Sequence, residues 1–227
     1  MRINKYLALK NYATRRGADE LISKKLVTIN GKFAVLGDKV NETDVVEVRS
    51  YKKPAAFVYY AYNKPFGINS DPTLKGENDI LSTSSLKGVF PVIGLEKNSH
   101  GLVVLTNDRR TIDRMVNPKH SHEKEYSVKV NGILRPNFKE KVEAGMNLEN
   151  GESVTGSKIT NLKESSFNII MTDSKNPIRQ ICSLLFAEVK DIECTRIINI
   201  KLGKLAPNSH RVIKDAELEE FLKNLGL

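Results

Sequence analysis

Apolar and polar positions along this chain alternate at two periods, about 3.6 and 2, so helices and strands are interspersed throughout. Ile3, Leu7 and Leu9 give a first helical face, and Thr14 is placed to cap a second helix carrying Arg15, Arg16, Ala18, Leu21 and Ile22. Val27-Thr28-Ile29 alternates ahead of Asn30-Gly31, a strong hairpin-turn signal, and residues 45–48 supply another strand. Residues 57–62 read as a buried strand interrupted by Pro65 and Gly67, and residues 68–88, rich in Ser, Thr, Gly and Asp, as a loop with little regular structure. Residues 102–105 form a short apolar run closed by Thr106-Asn107-Asp108. That is a buried strand feeding the cap of a helix through Ile112 and Met115, ending near Pro118. Tyr126, Val128 and Val130 lie on one face of a strand, and residues 167–172 make another. Asn176-Pro177 opens a helix through Ile178, Ile181, Leu185 and Phe186, and residues 197–202 read as a strand. The final helix takes Asp215 as its cap, Leu218, Phe221, Leu222 and Leu225 as its apolar face, and Gly226 as its stop. The class is α+β.

Composition narrows the setting. At 227 residues, with 40% hydrophobic and 28% charged residues, the chain can bury one good core and a small second one. No apolar run approaches the ~20 residues that span a bilayer, and the N-terminus has no secretory pattern, so no membrane partner is expected. Cys182 and Cys194 have neither CxxC spacing nor neighbouring histidines, which argues against a disulfide framework or metal site and for a reducing cytoplasm. The net charge of +9 is uneven: residues 1–56 hold 12 Lys and Arg against 6 Asp and Glu. Two thirds of the excess therefore sits in a quarter of the chain, the pattern of a polyanion-binding module on a more neutral body.

Three motifs give the chemistry. Residues 90–108 include Pro91-Val92-Ile93-Gly94-Leu95-Glu96 and Gly101-Leu102-Val103-Val104-Leu105-Thr106-Asn107-Asp108; Asn63-Lys64-Pro65-Phe66-Gly67 and Lys124-Glu125-Tyr126 are the others. Together they resemble the RsuA-type ribosomal RNA pseudouridine synthases, whose active-site loop reads Pro-Val-Gly-Arg-Leu-Asp, then Gly-Leu-Leu-Leu-Leu-Thr-Asn-Asp. The late run Ser174 to Ile181 resembles the family's Gly-Lys-x-(Arg/His)-Gln-Ile-Arg-Arg-Met with one residue deleted near Pro177. That alignment puts Arg179 at the arginine which pairs with the catalytic carboxylate. Thr195-Arg196-Ile197 and Leu202-Gly203 match two further family positions. The first quarter looks like the RNA-binding domain named after small-subunit ribosomal protein S-four.

The resemblance implies a helix-helix-hairpin RNA-binding domain over 1–49, a linker at 50–56, and a mainly antiparallel mixed-sheet catalytic domain over 57–227. It implies isomerisation of a uridine to pseudouridine, by breaking the C1′–N1 bond and rejoining the base through C5, without metal or cofactor. The implied partner is ribosomal RNA, 23S-like or 16S-like, with transfer RNA second, and the implied state is a monomer. Glu96, Tyr126 and Arg179 are the implied catalytic residues. Glu96 stands where the family has Asp, and Gly94 where it has Arg. Two readings stay open: a working, slower synthase, and a catalytically impaired relative serving ribosome assembly as an RNA-binding factor or chaperone.

Arg2, Lys5, Arg15, Arg16, Lys24, Lys25, Lys32, Lys64, Lys124 and Lys175 are the candidates for RNA contact. Replacing both Arg15 and Arg16 by Gln should weaken binding alike across RNA sequences. In filter-binding titrations the salt slope should flatten by about 1 for each cation that meets a phosphate.

Overall fold

The computed structural model of the chain describes residues 1–10, 12–49, 56–70, 80–115, 122–172 and 177–227. It divides into two compact units, Met1–Phe57 with Asn107–Arg110, and Val58–Thr106 with Thr111–Leu227. Of the connector expected at 50–56, residues 50–55 lie outside the described residues.

In the first unit, α1 (Ile3–Leu9) and α2 (Arg15–Ser23) pack over a small sheet. Thr14 has extended backbone, and its Oγ1 accepts from the Gly17 N–H at 3.1 Å, which satisfies one donor left open by the first turn. The strands β1 (Val27–Ile29), β2 (Lys32–Phe33) and β3 (Val46–Val48) are antiparallel with β1 central. Asn30 and Gly31 both take positive φ, 51° and 78°, as a tight hairpin requires. The Asn30 amide donates to Asp44 Oδ1 at 2.9 Å, and its Oδ1 accepts from the Val45 N–H. Ile3, Leu7, Ala18, Ile22, Val27, Ala34 and Val40 form the core, leaving the cationic side chains outward.

The remaining elements in chain order are β4 (Tyr59–Lys64), α3 (Ile80–Thr83), β5 (Phe90–Pro91), β6 (His100–Thr106), α4 (Arg109–Met115), β7 (Lys124–Asn131) and α5 (Phe138–Ala144). They continue with β8 (Met146–Asn147), β9 (Ser153–Val154), β10 (Lys158–Thr160), β11 (Ser166–Met171), α6 (Ile178–Leu184), β12 (Glu188–Ile197), β13 (Ile200–Lys201), β14 (His210–Val212) and α7 (Asp215–Asn224). Among the described residues the sheet runs β10-β11-β7-β12-β6-β4-β14, with β13 on β12 and β5 on β6. Its pairs are antiparallel except β12 with β6, where Glu193 faces His100 and Cys194 faces Gly101. Gly101 has φ 103°, and a Cβ there would sit 2.5 Å from the Cys194 carbonyl oxygen. Only glycine lets these two central strands meet.

The structure corrects several expectations. The strand expected over 197–202 is a reversal: β12 ends at Ile197, Ile198 takes φ 56°, and β13 returns along β12. An isoleucine inside the turn makes the apolar run look continuous. β12 itself carries two register shifts, which break its period-two pattern and conceal its ten-residue length from the sequence. Within the expected loop 68–88, Ile80 is buried and opens the single helical turn α3. Asp215 is the first residue of α7, with Lys214 at the cap position. Phe186 lies beyond α6 and is 79% exposed, not part of its buried face. Asn176 and Pro118 lie outside the described residues.

Gly101→Ala should destabilise the protein by about 3 kcal/mol or more, because a backbone clash adds to a strained φ. Urea denaturation should show a lower midpoint, while the same change at Gly94, whose nearest Cβ contact is 3.8 Å, moves it little.

Candidate active site

The loop from β5 to β6 is held from below before any catalytic group is considered. Leu95 is buried, and Ser70 Oγ both accepts from its N–H and donates to its carbonyl. The Ser99 N–H closes a turn onto the Glu96 carbonyl at 3.0 Å, and the Gly67 N–H donates to the Lys97 carbonyl at 2.9 Å. Lys64, at the end of β4, has no exposed surface, and its Nζ donates to the carbonyls of Ser99 at 2.7 Å, Ile68 at 2.7 Å and Pro65 at 3.2 Å. Burial pulls that ammonium down to about 8. Three carbonyls and one buried cation thus fix the backbone on which Glu96 stands.

The Glu96 side chain points outward and is 43% exposed. Arg179, in the first turn of α6, reaches it: Nε lies 3.2 Å from Glu96 Oε2, and a terminal nitrogen donates to the Asn98 carbonyl at 2.6 Å. Ile178, Ile181 and Cys182 are the buried side of α6 and hold that helix in place. An ion pair this open adds at most about 1 kcal/mol to folding, so its consequence is orientation of the carboxylate.

Tyr126 on β7 is almost wholly buried, with Cys194 as its cross-strand partner. Burial, then Cys194 and Glu96, push its phenol well above the ordinary range, so it is a neutral hydroxyl at physiological pH. The Cys194 thiol is likewise pushed up to about 12 by burial. A fixed carboxylate, a guanidinium and a neutral phenol therefore gather from loop, helix and strand. Such a set can act on an electrophilic carbon while a flat ring packs a planar substrate.

The remaining candidates separate by exposure. Arg2, Lys5, Arg15, Arg16, Lys24, Lys25 and Lys32 are exposed on the first unit. Lys64 and Lys124 are corrected: they are 0% and 2% exposed, so neither presents an ammonium to a phosphate. Lys175 lies outside the described residues. Sequence reasoning missed Ser70 and the Asn98 carbonyl. Ser70 sits in a polar loop with no local pattern to single it out, and a backbone acceptor leaves no trace in the sequence.

One cavity borders the site, and a second, larger one does not. One of about 490 Å³ is lined by Arg179, Ser183, Phe186, Ala187, Glu188 and Val189. A larger one of about 650 Å³ includes Glu123, Arg196, Lys201 and Glu220. It holds none of the predicted catalytic residues, and its arginine is already paired with Glu125 at 3.0 Å and Glu123 at 3.1 Å.

A family model described as RNA pseudouridylate synthase matches residues 58–199, and an S4 domain model matches residues 1–46. The dual-specificity RNA pseudouridine synthase RluF of Escherichia coli (strain K12) is 34% identical over 230 residues, covering 98% of this chain and 79% of that protein. Ribosomal large subunit pseudouridine synthase B of Bacillus subtilis (strain 168) is 34% identical over 158 residues, 67% of this chain and 64% of its own. A crystal structure of a pseudouridylate synthase shares the fold with a TM-score of 0.70 at 21% identity, covering 97% of this chain and 99% of its own.

Lys64→Met should leave buried carbonyls without a donor, at about 1–3 kcal/mol each, and lower the melting temperature markedly. The RNA affinity of the folded fraction should not change, since the ammonium is internal.

Proposed function

The chain belongs to the RNA pseudouridylate synthase family, and on that premise we propose that it isomerises a uridine of ribosomal RNA with Glu96 in the role of the family's aspartate. The observation that carries this reading is the 3.2 Å contact of Arg179 with Glu96, residues 83 apart in sequence, beside the buried Tyr126. The target base leaves its stack and lies against the Tyr126 ring. The Glu96 carboxylate acts at the sugar C1′ as the bond to N1 breaks; the base rotates, and C1′ joins C5. The C5 proton is lost and N1 gains one, so the product is an isomer with no change in oxidation state. Arg179 keeps the carboxylate aimed. The exposed cations of the first unit supply phosphate contacts, and the protein acts as a monomer. The name of one relative, ribosomal large subunit pseudouridine synthase B, favours ribosomal RNA.

Glutamate adds a methylene to the family's side chain, moving the carboxylate by about 1.5 Å. A misplacement of about 1 Å can cost about 100-fold in rate. Gly94 lacks the family's arginine, but its backbone tolerates one: the nearest atoms to a Cβ are on Ser70, at 3.8 and 3.9 Å. Tritium release from C5-labelled ribosomal RNA under single-turnover conditions tests the proposal. Wild type should release slowly, Glu96→Asp faster, and Glu96→Ala not at all, with RNA affinity within about twofold throughout. No release by wild type from any ribosomal RNA segment would remove the enzyme. It would leave the RNA-binding assembly factor, the reading that Gly94 and Glu96 favour.

A further inference from the structure

Phe186 combines three unusual properties. It is 79% exposed, it takes φ 58°, and its ring is faced by the Arg135 guanidinium at 4.3 Å. The conformation belongs to the helix stop after α6, where the Phe186 N–H donates to the Ser183 carbonyl and the Ala187 N–H to that of Cys182. Glycine adopts such a stop without strain, whereas a bulky side chain there is rare. The ring gains little from folding, because most of it faces solvent. Its usefulness lies outward.

Phe186 shares a cavity with Arg179, the partner of Glu96. Arg179 and Ser183 lie one turn apart on α6, Phe186 stands at its stop, and all three line the cavity of about 490 Å³. The seven-residue helix is about 10 Å long, so the cavity reaches from the partner of Glu96 to the exposed ring. Resting on the function proposed above, we infer that Phe186, backed by Arg135, is a stacking platform for the base of a nucleotide flanking the target uridine. An aromatic ring and a guanidinium plane both stack on nucleobases irrespective of sequence. Glu188 lines the same cavity and repels a phosphate, but its carboxylate accepts from an amino-bearing base edge. The occupant is therefore a base, and the phosphates run past the arginines.

The test uses the full-length protein and hairpin RNAs whose loop holds one uridine, with a fluorescent adenine analogue at successive flanking positions. Wild type should quench the analogue at one flanking position. Phe186→Gly, which relieves the backbone and removes the ring, should abolish that quenching and raise Kd about 5- to 100-fold. Phe186→Trp should retain both. Equal quenching and equal affinity in wild type and Phe186→Gly would overturn the platform. Scoring tritium release on the same hairpins, labelled at C5 of the uridine, separates the two proposals. Ring-dependent quenching without release removes the catalytic reading and leaves the platform. Release indifferent to Phe186 removes the platform and leaves the catalytic reading.

Discussion

The closeness of β6 and β12 governs this molecule. These are the parallel neighbours in an otherwise antiparallel sheet, and Gly101 brings one backbone against Cys194 with no room for a side chain. Cys194 in turn lies opposite Tyr126, and the loop bearing Glu96 ends where β6 begins. The strand that follows the Glu96 loop and the strand that faces Tyr126 are thus held together by a backbone contact at the centre of the sheet. A side-chain adjustment at the surface could not substitute for it.

Rigidity around that contact comes from groups with no chemical part in catalysis. Ser70 holds both backbone atoms of Leu95, and Lys64 gathers carbonyls from two segments. Buried polar groups satisfied in this way are costly to disturb, so they specify one loop conformation. Glu96 and Arg179 can then stay half-exposed without losing their mutual orientation. The division of labour is spatial: order is stored beneath the loop, and the proposed reactive groups sit on top.

What could be read from the sequence follows the range of the interactions. Thr14 and Asn30-Gly31 act within a few residues, and both perform as their types suggest. Pairing Glu96 with Arg179 spans half of the second unit and is legible only through motif resemblance. Lys64 and Lys124 run against expectation because a lysine's charge normally argues for the surface; nothing local reveals that three carbonyls await the Lys64 ammonium. The reversal at Ile198 and the register shifts of β12 escaped for a related reason: they are set by neighbouring strands, not by residue type.

The two cysteines, Cys182 and Cys194, are the full thiol complement of the sequence. Both are buried, and burial pushes both up to about 12, so neither is a thiolate at neutral pH in the folded chain. Thiolate is the form that attacks alkylating reagents and peroxides. Both residues also lie in the unit that carries Glu96, Tyr126 and Arg179. The protein therefore carries a native gauge of its own integrity: cysteine modification can proceed only as fast as that unit opens, and needs no engineered label to report it.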